Sequence, residues 1–195
     1  MPDTSAKILV VVAPSGAGKT TIARRLVNEF QLIKFSVSAT TRPPRPHEVN
    51  GVDYYFLSPG EFQEYIDAGE FLEWEEVFNN YRYGTLRTVI EKKLKDGYFP
   101  LLDVEVYGAL NIKQQFGDRC LSFFIKPPSI EILKERLANR GTETDKSITY
   151  RLERAKEELE LAPKFDHVII NDQLDRAYNE IKSIVKPFLL KTETK

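Results

Sequence analysis

The chain has 195 residues, 42% hydrophobic and 29% charged, which suits one soluble globular unit with a full core and small inserted lobes. Its net charge of −1 supplies no general basic field for nucleic acid, so an anion site has to come from local clusters. One cysteine, Cys120, excludes an intrachain disulfide, and no apolar run reaches 18 residues and no charged-then-apolar leader is present, so a cytoplasmic protein without nucleic-acid or membrane partners is expected.

Ile8 to Val12 reads as a buried parallel strand, apolar at every position. Ala13-Pro14-Ser15-Gly16-Ala17-Gly18-Lys19-Thr20 follows, and then Thr21 to Phe30, where Ile22, Leu26 and Phe30 recur at fourfold spacing as on one helix face. Strand, glycine-rich turn and helix, in that order, are the setting of a phosphate-binding loop. Glycines let the backbone curl and aim its N–H groups inward, and the new helix adds free N–H groups and its positive dipole end. Lys19 would reach the β- and γ-phosphates of a nucleotide, and the Thr20 hydroxyl would help to hold Mg²⁺. Ala13 stands where the loop pattern begins with glycine. Alanine at a positive φ would cost about 1 kcal/mol or more; at an ordinary φ the cost is close to nothing.

Leu32 to Val37 reads as a second strand. In the stretch Ser36 to Pro46 the prolines prevent a helix, and Arg42 and Arg45 with several hydroxyls suit a phosphate or a polar ring edge. Ser58-Pro59-Gly60-Glu61 predicts a capped helix start, with Phe62, Tyr65 and Ile66 inward and Gly69 at the end. Residues 61 to 76 carry seven acids, most of them the wet side of that helix. Glu73 differs only in lying within the apolar sequence Phe71-Leu72-Glu73-Trp74; without further context it reads as one more exposed acid. Tyr54, Tyr55, Tyr81 and Tyr83 bracket this segment, which the strand and turn signals make a small β-rich lobe at the sheet's edge.

Leu86 to Asp96 is a predicted helix, with Leu86, Val89, Ile90 and Leu94 inward and Gly97 beyond it. Tyr98 to Asp103 is a buried strand ending in a carboxylate. Ligands of open α/β sheets bind beyond the carboxyl ends of strands, so Asp103 is a candidate Mg²⁺ ligand, directly or through water, or a substrate contact. Leu121 to Ile125 is the next strand, and Cys120 beside it reads as a core residue. Pro127-Pro128-Ser129 opens a helix with Ile130, Leu133 and Leu137 on one side, Arg136 and Arg140 four apart, and Gly141 as its stop. After a polar loop, Thr142 to Ser147, a helix patterned by Ile148, Leu152, Ala155 and Leu159 bears Arg151 and Arg154. These arginines either converge on phosphates or pair with Glu135, Glu153, Glu157 or Glu158 on the helix surfaces. Val168 to Ile170 is a last strand, followed by a helix to about Leu190 in which Pro187 should introduce a kink. Five buried strands with helices between them predict a parallel three-layer α/β sandwich, with residues 1–6 and 192–195 disordered. His47 and His167 lack partners at metal spacing, so no zinc site is expected.

Taken together, the run from Ser36 to Arg45, the stretch Glu48-Val49-Asn50-Gly51-Val52-Asp53-Tyr54, Glu70-Phe71-Leu72-Glu73-Trp74, Tyr83-Gly84-Thr85 and Arg140-Gly141-Thr142-Glu143-Thr144 resemble the guanylate kinase family over nearly the whole chain. The resemblance implies an α/β, three-layer P-loop nucleoside monophosphate kinase fold with a parallel five-stranded core sheet. The core would comprise residues 1–35, 86–128 and 156–195, with an inserted β-rich GMP-binding lobe at 36–85 and a helical lid at 129–155. It implies Mg²⁺-dependent, reversible phosphoryl transfer from ATP to GMP or dGMP. By that likeness ATP would be held by Ala13, Pro14, Ser15, Gly16, Ala17, Gly18, Lys19, Thr20, Thr21, Arg136, Arg140 and Asn171, the last near adenine. Arg42, Arg45, Tyr54 and Tyr83 would hold the GMP phosphate; Ser38, Glu73, Thr85 and Asp103 would read guanine; and Arg151 would bind GMP and, with Arg136 and Arg140, close on the ATP phosphates. Lys19, Arg42, Arg136, Arg140 and Arg151 would be catalytic, and Thr20 and Asp103 would serve the metal. Besides Ala13, the chain departs from the family at Tyr107, where glutamine is usual. Two rivals are a catalytically silent protein-interaction module, which should lose the loop or the arginines, and a sugar-bisphosphate kinase, which has no use for Glu73 or Ser38. Monomer and homo-oligomer are equally compatible with the sequence.

Overall fold

In the computed structural model, residues 7–77, 80–139 and 145–190 are described; the expectations for residues 1–6, for Arg140 to Thr144 and for 192–195 lie outside them. Strand β1 (Ile8–Val12) has no exposed side chain because it is sandwiched on every side. It pairs in parallel with β7 (Phe99–Asp103) and with β8 (Cys120–Lys126). Strand β2 (Ile33–Phe35) extends the sheet beyond β7, and β9 (His167–Ile170) extends it beyond β8, giving the all-parallel order β2-β7-β1-β8-β9.

The two faces of β1 belong to different cores, as a period of two requires. Leu9 and Val11 pack with Ile22, Ala23 and Leu26 of α1 (Lys19–Glu29), Leu133 and Leu137 of α5 (Ile130–Ala138), and Ala177, Ile181 and Val185 of α7 (Leu174–Leu190). Ile8, Val10 and Val12 pack with Ile90 of α3 (Arg87–Lys95) and with Val106, Ala109 and Ile112 of α4 (Val106–Phe116). Cys120 lies in this second core; burial, with Asp166 nearby, pushes its thiol up to about 12. The three layers are thus helices, sheet, helices.

A second sheet, ordered β4-β3-β6-β5, is built from β3 (Ala39–Thr40), β4 (Tyr55–Phe56), β5 (Phe71–Val77) and β6 (Tyr81–Leu86). Its own small core joins Ala39, Phe71 and Leu86 to Phe62 of α2 (Pro59–Asp67), whose ring stacks on Phe71 at 4.4 Å. Helix α2 begins with the expected capping box: Ser58 Oγ accepts from the Glu61 N–H at 3.2 Å, and Glu61 Oε2 accepts from the Ser58 N–H at 2.7 Å.

Three details differ from expectation. Tyr65 is exposed, since the small core needs only Phe62 and Ile66 from α2. Helix α6 (Asp145–Glu160) starts inside the stretch that reads as a polar loop, because Ser147 is buried on its first turns. In β9 only Ile169 is buried; Val168 and Ile170 are exposed because this strand closes the sheet's edge. Helix α7 ends at Leu190, as expected, with Pro187 inside it. No described helix is long and apolar enough to cross a membrane.

Candidate active site at the carboxyl edge of the sheet

The glycine-rich loop leaves β1 at its carboxyl end and delivers Lys19 to the first position of α1. Ala13 is buried at an ordinary φ, since among the described residues other than glycine only Asn80 has a positive one. The departure at that position therefore strains nothing. Gly16 and Gly18 do adopt positive φ, 95° and 98°. Gly18 is required twice over, because a Cβ there would also lie 2.3 Å from Asn171 Nδ2. Asn171, which follows β9, is buried and donates from Nδ2 to the Ala17 carbonyl at 2.7 Å. Arg136 of α5 donates in turn to the Asn171 carbonyl at 3.0 Å. Asn171 and Arg136, far from the loop in sequence, thus brace it.

The parallel register sets Val11 beside Asp103, so the end of β7 meets the start of α1. Lys19 Nζ lies 2.6 Å from Asp103 Oδ1 and donates to the Val104 carbonyl at 3.1 Å. Thr20 Oγ1 donates to Asp103 Oδ2 at 3.1 Å. Burial works against the Lys19 charge, but Asp103 and Glu105 outweigh it and hold the ammonium above the ordinary lysine range. A fixed cation, a hydroxyl and a carboxylate are therefore presented together at the loop.

A second group forms on the small sheet. Arg42 Nε donates to the Tyr83 hydroxyl at 3.2 Å, and its guanidinium lies over the rings of Tyr54 and Phe56 at 5.4 and 5.8 Å. Glu48 fixes this group: Oε1 accepts from Arg42 Nη2 at 2.8 Å, and Oε2 accepts from the Arg45 N–H at 2.7 Å. The bond from Arg42, against the cost of burial, holds the Glu48 carboxyl below its usual range. Arg45 keeps its side chain largely in solvent, 3.7 Å from Glu48. Arg42, Arg45, Tyr54 and Tyr83 are brought together, and Glu48 is the organiser that the sequence motif contained without revealing its task.

Glu73 sits deeper. Pairing of β5 with β6 slips by one residue between Phe71 and Glu73, so Phe71, Leu72 and Glu73 are all buried although a regular strand would alternate. Thr85 Oγ1 donates to Glu73 Oε1 at 2.6 Å. Burial dominates and raises the Glu73 carboxyl to about 7, with Glu75 and Glu105 adding to the shift and Thr85 opposing it. Ser38 lies just before β3, its carbonyl accepting from the Tyr55 N–H at 2.9 Å.

Helix α6 closes the arrangement. Arg151 Nη1 donates to Ser15 Oγ of the loop at 2.5 Å and its Nε to Ser147 Oγ at 3.4 Å. Arg154 does more than pair along its own helix with Glu158, at 2.9 Å. It also bonds Glu75 of β5 and lies 3.4 Å from Glu105, just beyond β7. One guanidinium thus joins α6, the small sheet and the main sheet; spacing along the chain shows only the Glu158 partner. Arg140 lies outside the described residues.

A chain folded in this way has extensive company. The family model "Guanylate kinase" matches residues 5–187. A guanylate kinase of Salinibacter ruber is 50% identical over 97% of this chain and 99% of its own length. One of Bacteroides fragilis is 48% identical over 94% of this chain and 90% of its own. The crystal structure of guanylate kinase from Anaplasma phagocytophilum superposes with a TM-score of 0.75 at 30% identity, over 96% of this chain and 88% of that one. A shikimate kinase from Bacteroides thetaiotaomicron, at 12% identity and a TM-score of 0.51 over 92% of this chain and 98% of its own, shares the fold alone. Relatives half identical along almost every residue, carrying one name, leave no room for a different assignment: the chain belongs to the guanylate kinase family.

Proposed function

We propose that this chain transfers the γ-phosphoryl group of ATP to GMP, and to dGMP, reversibly, in the cytoplasm. The observation that carries the reading is the buried Glu73 carboxylate bonded to Thr85, on the same small sheet as the Arg42–Tyr83 pair. Guanine presents N1–H and N2–H₂ as adjacent donors, which a carboxylate's two oxygens match; adenine offers an acceptor at N1, which a carboxylate repels. A site built around such a bond rejects analogues lacking the donor by about 10⁴–10⁵-fold. Ser38, Thr85 and Asp103 complete the base site in this reading, and Arg42, Arg45, Tyr54 and Tyr83 take the GMP phosphate.

The chemistry asks for no general base. The second pKa of a phosphate monoester is about 6, so the attacking oxygen is already ionised at neutral pH. The barrier lies in bringing two anions together, and fixed cations and backbone dipoles lower it. In our reading residues Ala13 to Thr21 cradle the triphosphate, Lys19 exchanges Asp103 for the phosphates, and Arg136, Arg140 and Arg151 close over them; Asn171 serves ATP through the loop it braces. The hydroxyl of Thr20 and the carboxylate of Asp103, 3.1 Å apart, are hard oxygen donors of the kind Mg²⁺ takes alongside phosphate and water. When bound there, Mg²⁺ would neutralise charge on the β- and γ-phosphate oxygens. The division into a core, a GMP lobe at 36–85 and a lid at 129–155 belongs to the same reading, with closure excluding water.

The retained Lys19 and arginines speak against a silent interaction module, and Glu73 against a sugar-phosphate acceptor. The test is ADP release with GMP, dGMP, AMP and ribose 1,5-bisphosphate as acceptors. Turnover with GMP and dGMP is expected; no turnover with GMP above the acceptor-free blank overturns the proposal.

A further inference from the structure

Gly108 stands in the first turn of α4, where nothing in the backbone asks for glycine. It is not among the glycines with positive φ, and glycine forms helix less readily than alanine. The reason for its presence lies across the gap, on β5. A Cβ on Gly108 would lie 2.3 Å from Glu73 Oε2, 2.9 Å from its Cδ and 3.3 Å from its Cγ. The carboxylate of Glu73 fills the space that a side chain at 108 would occupy. Its other oxygen is tied to Thr85 Oγ1 at 2.6 Å, so the group is fixed from two sides. The backbone of Gly108 also lies near enough to the Glu75 carboxylate, two residues further along the same face of β5, to favour its ionised form.

We propose that Gly108 is a specificity-determining position for the nucleoside monophosphate, whose bare Cα sets the depth and tilt of the Glu73 carboxylate. The inference rests on the reading of Glu73 as the group that meets guanine. The atoms that a methyl at 108 would strike are the far end of a flexible side chain, so the carboxylate moves and the helix stays. A carboxylate turned out of line no longer faces two donors at once. The three atoms nearest a Cβ at 108 all belong to Glu73 and none to α1 or the phosphate-binding loop, so the methyl acts on the base site and ATP is spared.

The experiment compares Gly108→Ala with the native enzyme, varying GMP and ATP separately and recording the thermal midpoint. A displacement of about 1 Å at a reacting or recognising group is worth up to about a hundredfold, so the KM for GMP should rise roughly 10- to 100-fold. The KM for ATP should stay within about twofold, and the midpoint should not fall. Glu73→Asp withdraws the carboxylate by one methylene; on that background Gly108→Ala should cost much less than on the native one, a coupling that a merely structural role would not produce. An unchanged KM for GMP, an equal loss on both backgrounds, or a lowered midpoint with equal loss for both nucleotides would each overturn the proposal. Failure of the native chain to phosphorylate GMP would instead overturn the functional reading, so the two failures are distinct.

Discussion

A carboxylate with little access to water has to be worth its cost at the moment of binding, and Glu73 is in that position. Its carboxyl stands near 7 against an ordinary 4.5, through burial first. The folded protein therefore binds this proton more tightly than the unfolded chain, so Glu73 favours folding most below about 4.5 and costs stability as pH rises through about 7. GMP needs the ionised form, so its binding should release a proton and tighten between pH 6 and 8. We expect Glu73→Gln to raise the KM for GMP far more than that for ATP and to remove this pH dependence. Equal loss for both nucleotides in steady-state kinetics would move Glu73 away from the base. Lys19→Met should lower kcat by about 10²–10³-fold, the usual effect of deleting one preorganised donor, with an unchanged circular dichroism spectrum. Near-normal turnover would remove Lys19 from the chemistry.

Single elements carry their own signals, and the start of α2 is the clearest. Both halves of its capping box are formed, so Ser58→Ala should cost about 1 kcal/mol. In a protein of this size that is a fall of about 2–4 °C in the thermal midpoint, measurable by scanning calorimetry. Activity with saturating substrates should be unaffected. Helix α5 shows the opposite limit of local reasoning. Its buried face, Leu133 and Leu137, was legible from spacing, yet what it covers was not. A Cβ on Gly16 would come within 3.1 Å of Leu137 and 3.2 Å of Leu133. This helix therefore forms one wall of the phosphate-binding loop as well as carrying Arg136.

Across the whole molecule the connecting piece is Arg154. Its side chain is 19% exposed and its partners Glu75 and Glu158 are 18% and 4% exposed. Removing one member of a buried ionic group typically costs about 3–5 kcal/mol, so we expect Arg154→Met to destabilise the protein by about 3 kcal/mol at pH 8 in urea denaturation. The loss should be smaller at pH 6. Burial already raises Glu158 to about 7, with Glu105 adding to the shift, and Arg154 is one of the charges holding it down. Without the guanidinium, Glu158 takes up a proton more readily as pH falls, and the unpaired charge disappears. A loss independent of pH would show that packing of the arginine stem, rather than its charge, joins the three parts.

The alternation of apolar strands with amphipathic helices, the capped turns and the glycine-rich loop before Lys19 determined the fold class and one end of the site from sequence alone. Those features depend on residues close together in the chain, where propensity and periodicity act. The tertiary structure decided the rest. Ala13 proved harmless because its φ is ordinary, which no side-chain pattern states. The one-residue slip in β5 turned Glu73 inward, and only the pairing with β6 defines that slip. Asn171 against Gly18 and Arg154 between Glu75 and Glu105 join segments whose distance in sequence carries no signal, and even six residues apart nothing in the chain showed that Glu48 would hold Arg42. The parallel order of the main sheet sets Asn171 beside the loop, and Arg154 spans the two sheets; contact at that range is a property of the folded molecule.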